Sequence, residues 1–183
     1  MTILFALWFF LPAGVANSAP IFASKIPFLK KYTRPVDSGK TFRGHPVLGK
    51  NKTWRGFASG VITAIIVVYI QQLVWQAGWV DNLNSQPMEY LAYSPVLLGF
   101  LFGFGALFGD AVKSFAKRQF NYESGSAWFP FDQIDYILGA CLFMAPIVVL
   151  SAETYLLVLI VWFVLHLLFS YLGYLTKFKK QPI

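Results

Sequence analysis

An all-α integral membrane protein with five transmembrane helices is the fold class this sequence predicts, and three observations predict it. The 183 residues are 57% hydrophobic and 19% aromatic but only 13% charged, with a mean hydropathy of +0.57. A soluble domain carries about 25% charged residues. The apolar residues gather into long runs. All fifteen Lys and Arg fall in only three of the segments that border those runs. Together these describe a single membrane domain over residues 1–183, without a soluble unit, repeat or low-complexity tail.

The runs are Ile3–Ala23, Gly56–Gln76, Ser94–Val112, Ile134–Leu150 and Thr154–Thr176. A helix needs about 20 mostly apolar residues to cross a bilayer, with about 17 near the lower limit. The fourth run is the shortest and carries Asp135 at its start. A cleavable signal peptide competes for the first run, because Val15–Ala19 resembles a cleavage site. Such a peptide has a positive amino-terminal region, and no residue before Lys25 is charged, so a retained span is expected. Trp54, Trp75 and Trp79 bracket the second run, where interfacial anchors belong. Gly99, Gly103, Gly105 and Gly109 place two overlapping small-xxx-small patterns in the third and predict close packing against a neighbouring helix.

Charge sets the orientation. Nine cations lie between the first two runs, three follow the third and three follow the fifth. The connections 77–93 and 151–153 hold Asp81, Glu89 and Glu153 but no base. Five crossings therefore put every Lys and Arg on one face, which Lys/Arg-rich loops make cytoplasmic. The expected protein is multi-pass in the cell membrane, amino terminus outside and carboxyl terminus cytoplasmic. Cytoplasmic loops over about 24–55 and 113–133 would form an active site. The net charge of +7 would attract anionic head groups in any case and names no ligand. Cys141 stands alone, which excludes an internal disulfide.

Chemistry concentrates in three stretches. From Asp110 onward, Asp110, Lys113, Ser114, Lys117 and Arg118 fall at offsets 0, 3, 4, 7 and 8, which is one helix face. An acid at membrane depth is costly and usually functional; the bland alternative is a solvated helix end with an Asp–Lys pair. Asp132 and Asp135, three residues apart, begin the fourth run. Such paired carboxylates suit Mg²⁺, which one or two acids plus phosphate oxygens typically hold. The same pair would also serve as helix cap and dipole partner. The first loop twice places a Lys-Thr pair two residues before an Arg, in Gly39-Lys40-Thr41-Phe42-Arg43 and Lys52-Thr53-Trp54-Arg55. A P-loop is excluded, since Arg34 stands where its first Gly must be. His45 and His166 are isolated, and His166 is expected to meet a neighbouring helix rather than to catalyse. This inventory describes a phosphate-rich ligand held by Lys, Arg and backbone amides beside a divalent ion. Metal-assisted phosphoryl or nucleotidyl transfer to a membrane lipid fits it.

At these residues the chain resembles the CDP-archaeol synthase family, relatives of the CDP-diacylglycerol synthases. The matching stretches are Pro12–Asn17, Pro35–Lys40, Leu48–Gly56, Gly109–Arg118 and Asp132–Asp135, in order along nearly the whole chain. The resemblance implies a CTP:lipid-phosphate cytidylyltransferase of phospholipid biosynthesis. Its substrate would be 2,3-bis-O-geranylgeranyl-sn-glycerol 1-phosphate or a related glycerol phosphate lipid, and its products the CDP-lipid and pyrophosphate. By carry-over, Asp110, Asp132 and Asp135 hold Mg²⁺ and, with Lys117 and Arg118, make up the catalytic set. Asp37, Gly39, Lys40, Lys50, Lys52, Thr53, Arg55, Lys113 and Ser114 bind CTP and the phosphates. The partners implied are CTP, the lipid phosphate and the membrane, with a homo-oligomer open and nucleic acid excluded.

Two departures bear on the branch. Gly44-His45-Pro46 stands where archaeal members are expected to continue Asp-Gly-Arg. Glu123-Ser124 replaces the Lys-Asp of the diacylglycerol enzymes, which favours the archaeol-type branch. The alternatives are a CDP-diacylglycerol synthase acting on phosphatidic acid, and a non-enzymatic scaffold or transporter with lipid-binding basic loops. A transporter should show internal symmetry or broken helices at mid-membrane, whereas the polar residues here cluster at one edge. The transferases that use CDP-lipids need an Asp-Gly-x-x-Ala-Arg run, which this chain lacks.

Overall fold

The computed structural model describes residues 2–80 and 88–177. Five α-helices run through it: α1 (Ile3–Ala23), α2 (Trp54–Gln76), α3 (Pro95–Gln119), α4 (Phe131–Met144) and α5 (Ala152–Leu175). Between α1 and α2 lies a minimal hairpin, β1 (Thr41–Phe42) against β2 (His45–Pro46). Its two-residue turn, Arg43-Gly44, has positive φ at both positions (51° and 83°), the geometry that matches the twist of paired strands. A short 3₁₀ helix over Met88–Ala92 precedes α3.

Four of the helices, α1, α2, α3 and α5, are long and apolar enough to cross a membrane. The fourth differs from expectation. It ends at Met144, six residues before the anticipated Leu150, and its 14 residues span only about 21 Å at 1.5 Å per residue. Pro146 is the physical reason, because a proline two residues past the last turn cannot donate to a continuing helix. The non-helical stretch that follows is covered in part: Val148 and Leu150 are buried, whereas Val149 is exposed. Its turn is closed by Ile147 and Val148 N–H on the Met144 carbonyl at 2.9 Å.

The glycines of α3 work on two faces. A Cβ on Gly99 would lie 2.3 Å from the Ile65 Cα, and one on Gly103 would lie 2.9 Å from the Val61 Cα, both on α2. A Cβ on Gly105 would instead meet the Ala140 Cα, and one on Gly109 the Asp135 carbonyl oxygen at 2.1 Å, both on α4. Gly139 of α4 completes that second seam, its absent Cβ facing the Gly105 carbonyl at 2.3 Å. Residues 99 and 105 are six apart, about 240° around a helix, so the two patterns seat two different neighbours.

The helix α1 threads the bundle although Pro12 and Pro20 lie inside it. Pro12 has no N–H, which strands the carbonyl four residues earlier. That carbonyl, on Trp8, accepts from Gln71 Nε2 of α2 at 2.6 Å. Gln72 reaches the other way, its Nε2 donating to the Leu91 and Tyr93 carbonyls at 2.7 and 2.6 Å. Trp162 of α5 fills the notch at Gly14 and donates through Nε1 to the Ala6 carbonyl at 3.0 Å. Phe5, Phe9, Phe10, Phe102, Tyr136 and Trp162 fill the core around these bonds.

Candidate active site

Both polar connections lie at one end of the bundle, and local chemistry explains their shape. Arg34–Val36 runs antiparallel to Lys52–Trp54, with Val36 N–H on the Lys52 carbonyl at 2.8 Å and Trp54 N–H on the Arg34 carbonyl at 3.1 Å. Thr53 then caps α2, its hydroxyl accepting from Gly56 N–H at 3.2 Å. Asp37 folds the segment between. Its Oδ1 accepts from Gly39 N–H at 3.0 Å and its Oδ2 from Leu48 and Gly49 N–H at 2.8 and 3.2 Å. Partial burial alone would raise this carboxyl, but the three amides outweigh it and hold its pKa below the ordinary aspartate value. The second loop closes over the first through Asn51 Nδ2 on Ser124 Oγ at 2.9 Å.

The stripe read from the sequence is a face of α3, which continues past the apolar run to Gln119. Asp110, Lys113, Ser114, Lys117 and Arg118 all reach one cavity of about 820 Å³. The first two turns of α4 bring Asp132 and Asp135 to it, the first loop brings Lys50, Lys52 and Thr53, and the start of α2 brings Arg55. The contact at Gly109 sets this register, since α4 could not bring Asp135 so near α3 if a side chain intervened.

The charges form one network. Lys113 Nζ lies 3.0 Å from Asp110 Oδ1, 2.8 Å from Asp132 Oδ1 and 2.8 Å from Asp135 Oδ2. Lys52 pairs with Asp110 Oδ2, and Lys117 pairs with Asp132 at 3.1 Å while also donating to the Ser126 carbonyl. Arg118 is buried and donates to the Tyr122 and Glu123 carbonyls. Arg55 Nη1 donates to the Leu29 and Lys30 carbonyls at 3.2 and 3.3 Å. Both arginines thus brace loop backbone at the cavity wall.

Several expectations change on this geometry. Asp132 does not cap α4; the cap position is Pro130, which makes no side-chain bond. Asp132 sits inside the first turn, where its Oδ2 accepts from Trp128 N–H at 2.6 Å. Asp37, Gly39 and Lys40 do not line the cavity. Asp37 is spent on its own loop, while Gly39 and Lys40 are exposed beside the hairpin. Among the described residues, no group of three or more His, Cys, Asp or Glu is arranged to hold a metal ion as it stands, and Lys113 lies among the three acids. His166 finds its neighbour on α4, with ring centroids 5.7 Å from Tyr136, and it also lines the cavity.

Sequence reasoning missed Asn17, Ser126, Gln133 and Ser170 as cavity residues. A usable signal existed for two of them. Asn17 and Ser170 are polar residues inside apolar runs, and such residues in a span face protein or a cavity.

The CarS-like family model, described as CDP-archaeol synthase, matches residues 1–183. The chain belongs to this family. Among its relatives, the CDP-archaeol synthase of Thermococcus gammatolerans is 35% identical over 97% of this chain and 94% of that protein. Those of Thermococcus kodakarensis and Archaeoglobus fulgidus are 32% and 33% identical, covering 99% and 98% of this chain and 96% and 97% of theirs. A solved structure of an intramembrane enzyme for archaeal membrane lipid biosynthesis superposes with a TM-score of 0.69 at 28% identity, over 91% of this chain and 92% of that one. Four apolar helices of spanning length and this likeness make the chain a multi-pass membrane protein, and a CDP-archaeol synthase family member places the cavity in an enzyme.

Proposed function

We propose that the cavity at the loop end of the bundle is where this CDP-archaeol synthase family member joins CTP to a lipid phosphate. A phosphate oxygen of the lipid attacks the α-phosphorus of CTP. The new P–O bond forms as the bond from the α-phosphorus to the bridging oxygen breaks, and pyrophosphate leaves. Such an acceptor is ionised near neutral pH, so positioning and charge neutralisation carry the rate rather than a strong base. The observation that carries this reading is the convergence of Asp110, Asp132 and Asp135 with Lys50, Lys52, Lys117 and Arg118 on one cavity. Its walls include α1 and α5, which are membrane-spanning in length and composition.

By its chemistry the donor set suits a divalent ion, although its present arrangement holds Lys113 instead. Three carboxylate oxygens converge within 2.8–3.0 Å of one cationic atom, and hard oxygens of this kind suit Mg²⁺. On this reading Asp110, Asp132 and Asp135 hold Mg²⁺, which supplies neutralisation of the triphosphate and of the departing pyrophosphate. Lys50, Lys52 and Lys117, all lining the cavity, offer ammonium donors to the phosphates. Lys40, outside the cavity, is not needed for this. The basic connections between α1 and α2 and between α3 and α4 lie at the cavity end, so the reading also assigns that end to the cytoplasm, with five crossings, the amino terminus outside and α4 extended by the non-helical stretch after it.

The test is pyrophosphate release by purified protein in detergent with CTP, Mg²⁺ and either an ether-linked or an acyl-linked glycerol phosphate lipid. Release with the unsaturated diether lipid, lost on chelation, is the expected result. Release with the acyl lipid alone would move the chain to the diacylglycerol branch. Absence of release with both, and of CTP binding, would return the cavity to a lipid-binding scaffold.

A further inference from the structure

Each acid of the cavity has one oxygen held by an outer donor and one that faces the centre of the cluster. Asp110 Oδ2 is held by Lys52, Asp132 Oδ2 by Trp128 N–H at 2.6 Å and Asp135 Oδ1 by Tyr136 N–H at 2.7 Å. The three remaining oxygens, Asp110 Oδ1, Asp132 Oδ1 and Asp135 Oδ2, all turn to Lys113 Nζ, and Asp132 Oδ1 also faces Lys117 Nζ at 3.1 Å. Lys113 Nζ hydrogen-bonds to Asp110 Oδ1 and forms ion pairs with the other two acids, and buried Asp135 Oδ2 receives no hydrogen bond. That is a coordination sphere in miniature, filled by a side chain on the same helix as Asp110.

We propose that Lys113 is a built-in placeholder for the divalent cation: it occupies the centre of the three acids when no metal is bound and yields that position when metal enters. The inference rests on the metal reading of those acids above. Three carboxylates brought together without a cation repel one another strongly in a partly buried site. The ammonium removes that penalty, so the site keeps its shape while waiting. The inner oxygens stand 2.8–3.0 Å from the nitrogen, whereas Mg²⁺ binds oxygen at about 2.0–2.1 Å. Two cations cannot share the centre, so metal entry expels the ammonium into the cavity that Lys113 already lines. There its charge faces the phosphates. The outer partners on Lys52, Trp128 and Tyr136 need not move, and they keep the acids oriented as supporting contacts do around a bound ion. Metal loading and the release of a phosphate-binding cation are thereby one event.

The test uses full-length protein in detergent without CTP or lipid, and reads the thermal midpoint across a Mg²⁺ titration. Lys113→Met should lower the midpoint in chelator relative to the parent. It should also enlarge the rise produced by Mg²⁺ and lower the half-saturating Mg²⁺ concentration by about tenfold or more, the ratio that follows when a competing cation is removed. Lys113→Met combined with Asp135→Asn should recover the midpoint in chelator and lose the Mg²⁺ gain. Lys31→Met, the same charge change on an exposed loop residue, should titrate like the parent. If Lys113→Met folds only with Mg²⁺ present, the metal has replaced the ammonium and the proposal stands. If it fails to fold with or without Mg²⁺ while the double variant folds, Lys113 is a permanent structural partner and the proposal is overturned. A parent that responds to Mg²⁺ beside a Lys113→Met variant that responds no more tightly overturns the placeholder alone. Indifference of both to Mg²⁺ overturns the metal reading with it.

Discussion

The middle of the bundle and its loop end handle buried polarity in opposite ways. In the middle, three buried side chains each serve backbone: Gln71 the carbonyl that Pro12 strands, Gln72 the end of the 3₁₀ helix, and Trp162 the Ala6 carbonyl. At the loop end, charged side chains serve chiefly one another, with three acids sharing Lys113 and two of them also paired to Lys52 and Lys117. Polarity spent on backbone is finished business, because no ligand can compete for it without unravelling a helix. Polarity held between mobile side chains can be exchanged for a ligand. The comparison therefore separates residues whose loss should cost stability from those whose loss should cost turnover.

Asp132→Asn offers the largest expected effect. Pyrophosphate release should fall by about 100-fold or more, the range typical for losing one preorganised electrostatic contact at a reacting centre. The thermal midpoint should fall less than for a core variant, because the amide keeps an oxygen for Trp128 N–H. Retention of full activity with unchanged Mg²⁺ dependence would place Asp132 among the structural residues and erase the distinction at its strongest point.

Gly109→Ala and Gly99→Ala form a pair that tries to break the comparison from the packing side. Both added Cβ atoms would strike backbone, at 2.1 Å on the Asp135 carbonyl and 2.3 Å on the Ile65 Cα, and each should destabilise by about 1–3 kcal/mol. Only the first pushes on the turn that carries Asp135. Folded Gly109→Ala should therefore lose turnover as well, while folded Gly99→Ala should retain it. Equal turnover in the two would mean that the α3–α4 seam does not position the acids.

Gln71→Leu should lower stability by about 1 kcal/mol, the usual net worth of an interhelical bond to a stranded carbonyl, with turnover per folded molecule unchanged. Smallest is a pH effect in the first loop. The pKa of Asp37 is lowered by its amides, so its contribution is fully present above the unfolded value of about 3.9 and is lost as pH falls through the lower folded value. Limited proteolysis of segment 34–53 should accelerate on acidification through that window, and Asp37→Asn should blunt the acid dependence. An unchanged acid profile in the variant would assign the loop's integrity to the hairpin instead.

Much of this was legible in the chain. The runs located α1, α2, α5 and the start of α3 to within two residues, because a bilayer-length apolar helix writes its length into composition, whereas α3 continues seven residues past its run to Gln119. The 3.6-residue period placed Asp110, Lys113, Ser114, Lys117 and Arg118 on one face, and they share one. The end of α4 was not legible from hydropathy, since Ile147–Leu150 is as apolar as a helix would be; Pro146 carried the information. Nor could the phosphate-like loop pattern separate Lys52, which reaches Asp110, from Lys40, which is exposed outside the cavity. Both stand in the same local motif, and only the pairing of Arg34–Val36 with Lys52–Trp54 tells them apart.

By itself the sequence determined what local periodicity and charge can encode: apolar helices of spanning length, all cations grouped at three connections, a polar stripe on α3 and acids in the first two turns of α4. The tertiary structure alone decided which helices touch and which charges meet. Glycines six residues apart in α3 send α2 and α4 to different sides, and the second of those seams delivers Asp132 and Asp135 to Lys113. The reason is range. Helix formation and hydropathy are properties of contiguous residues, whereas the meeting of Asp110 with Lys52 or of Asp135 with Lys113 requires surfaces that no local pattern specifies until the helices have packed.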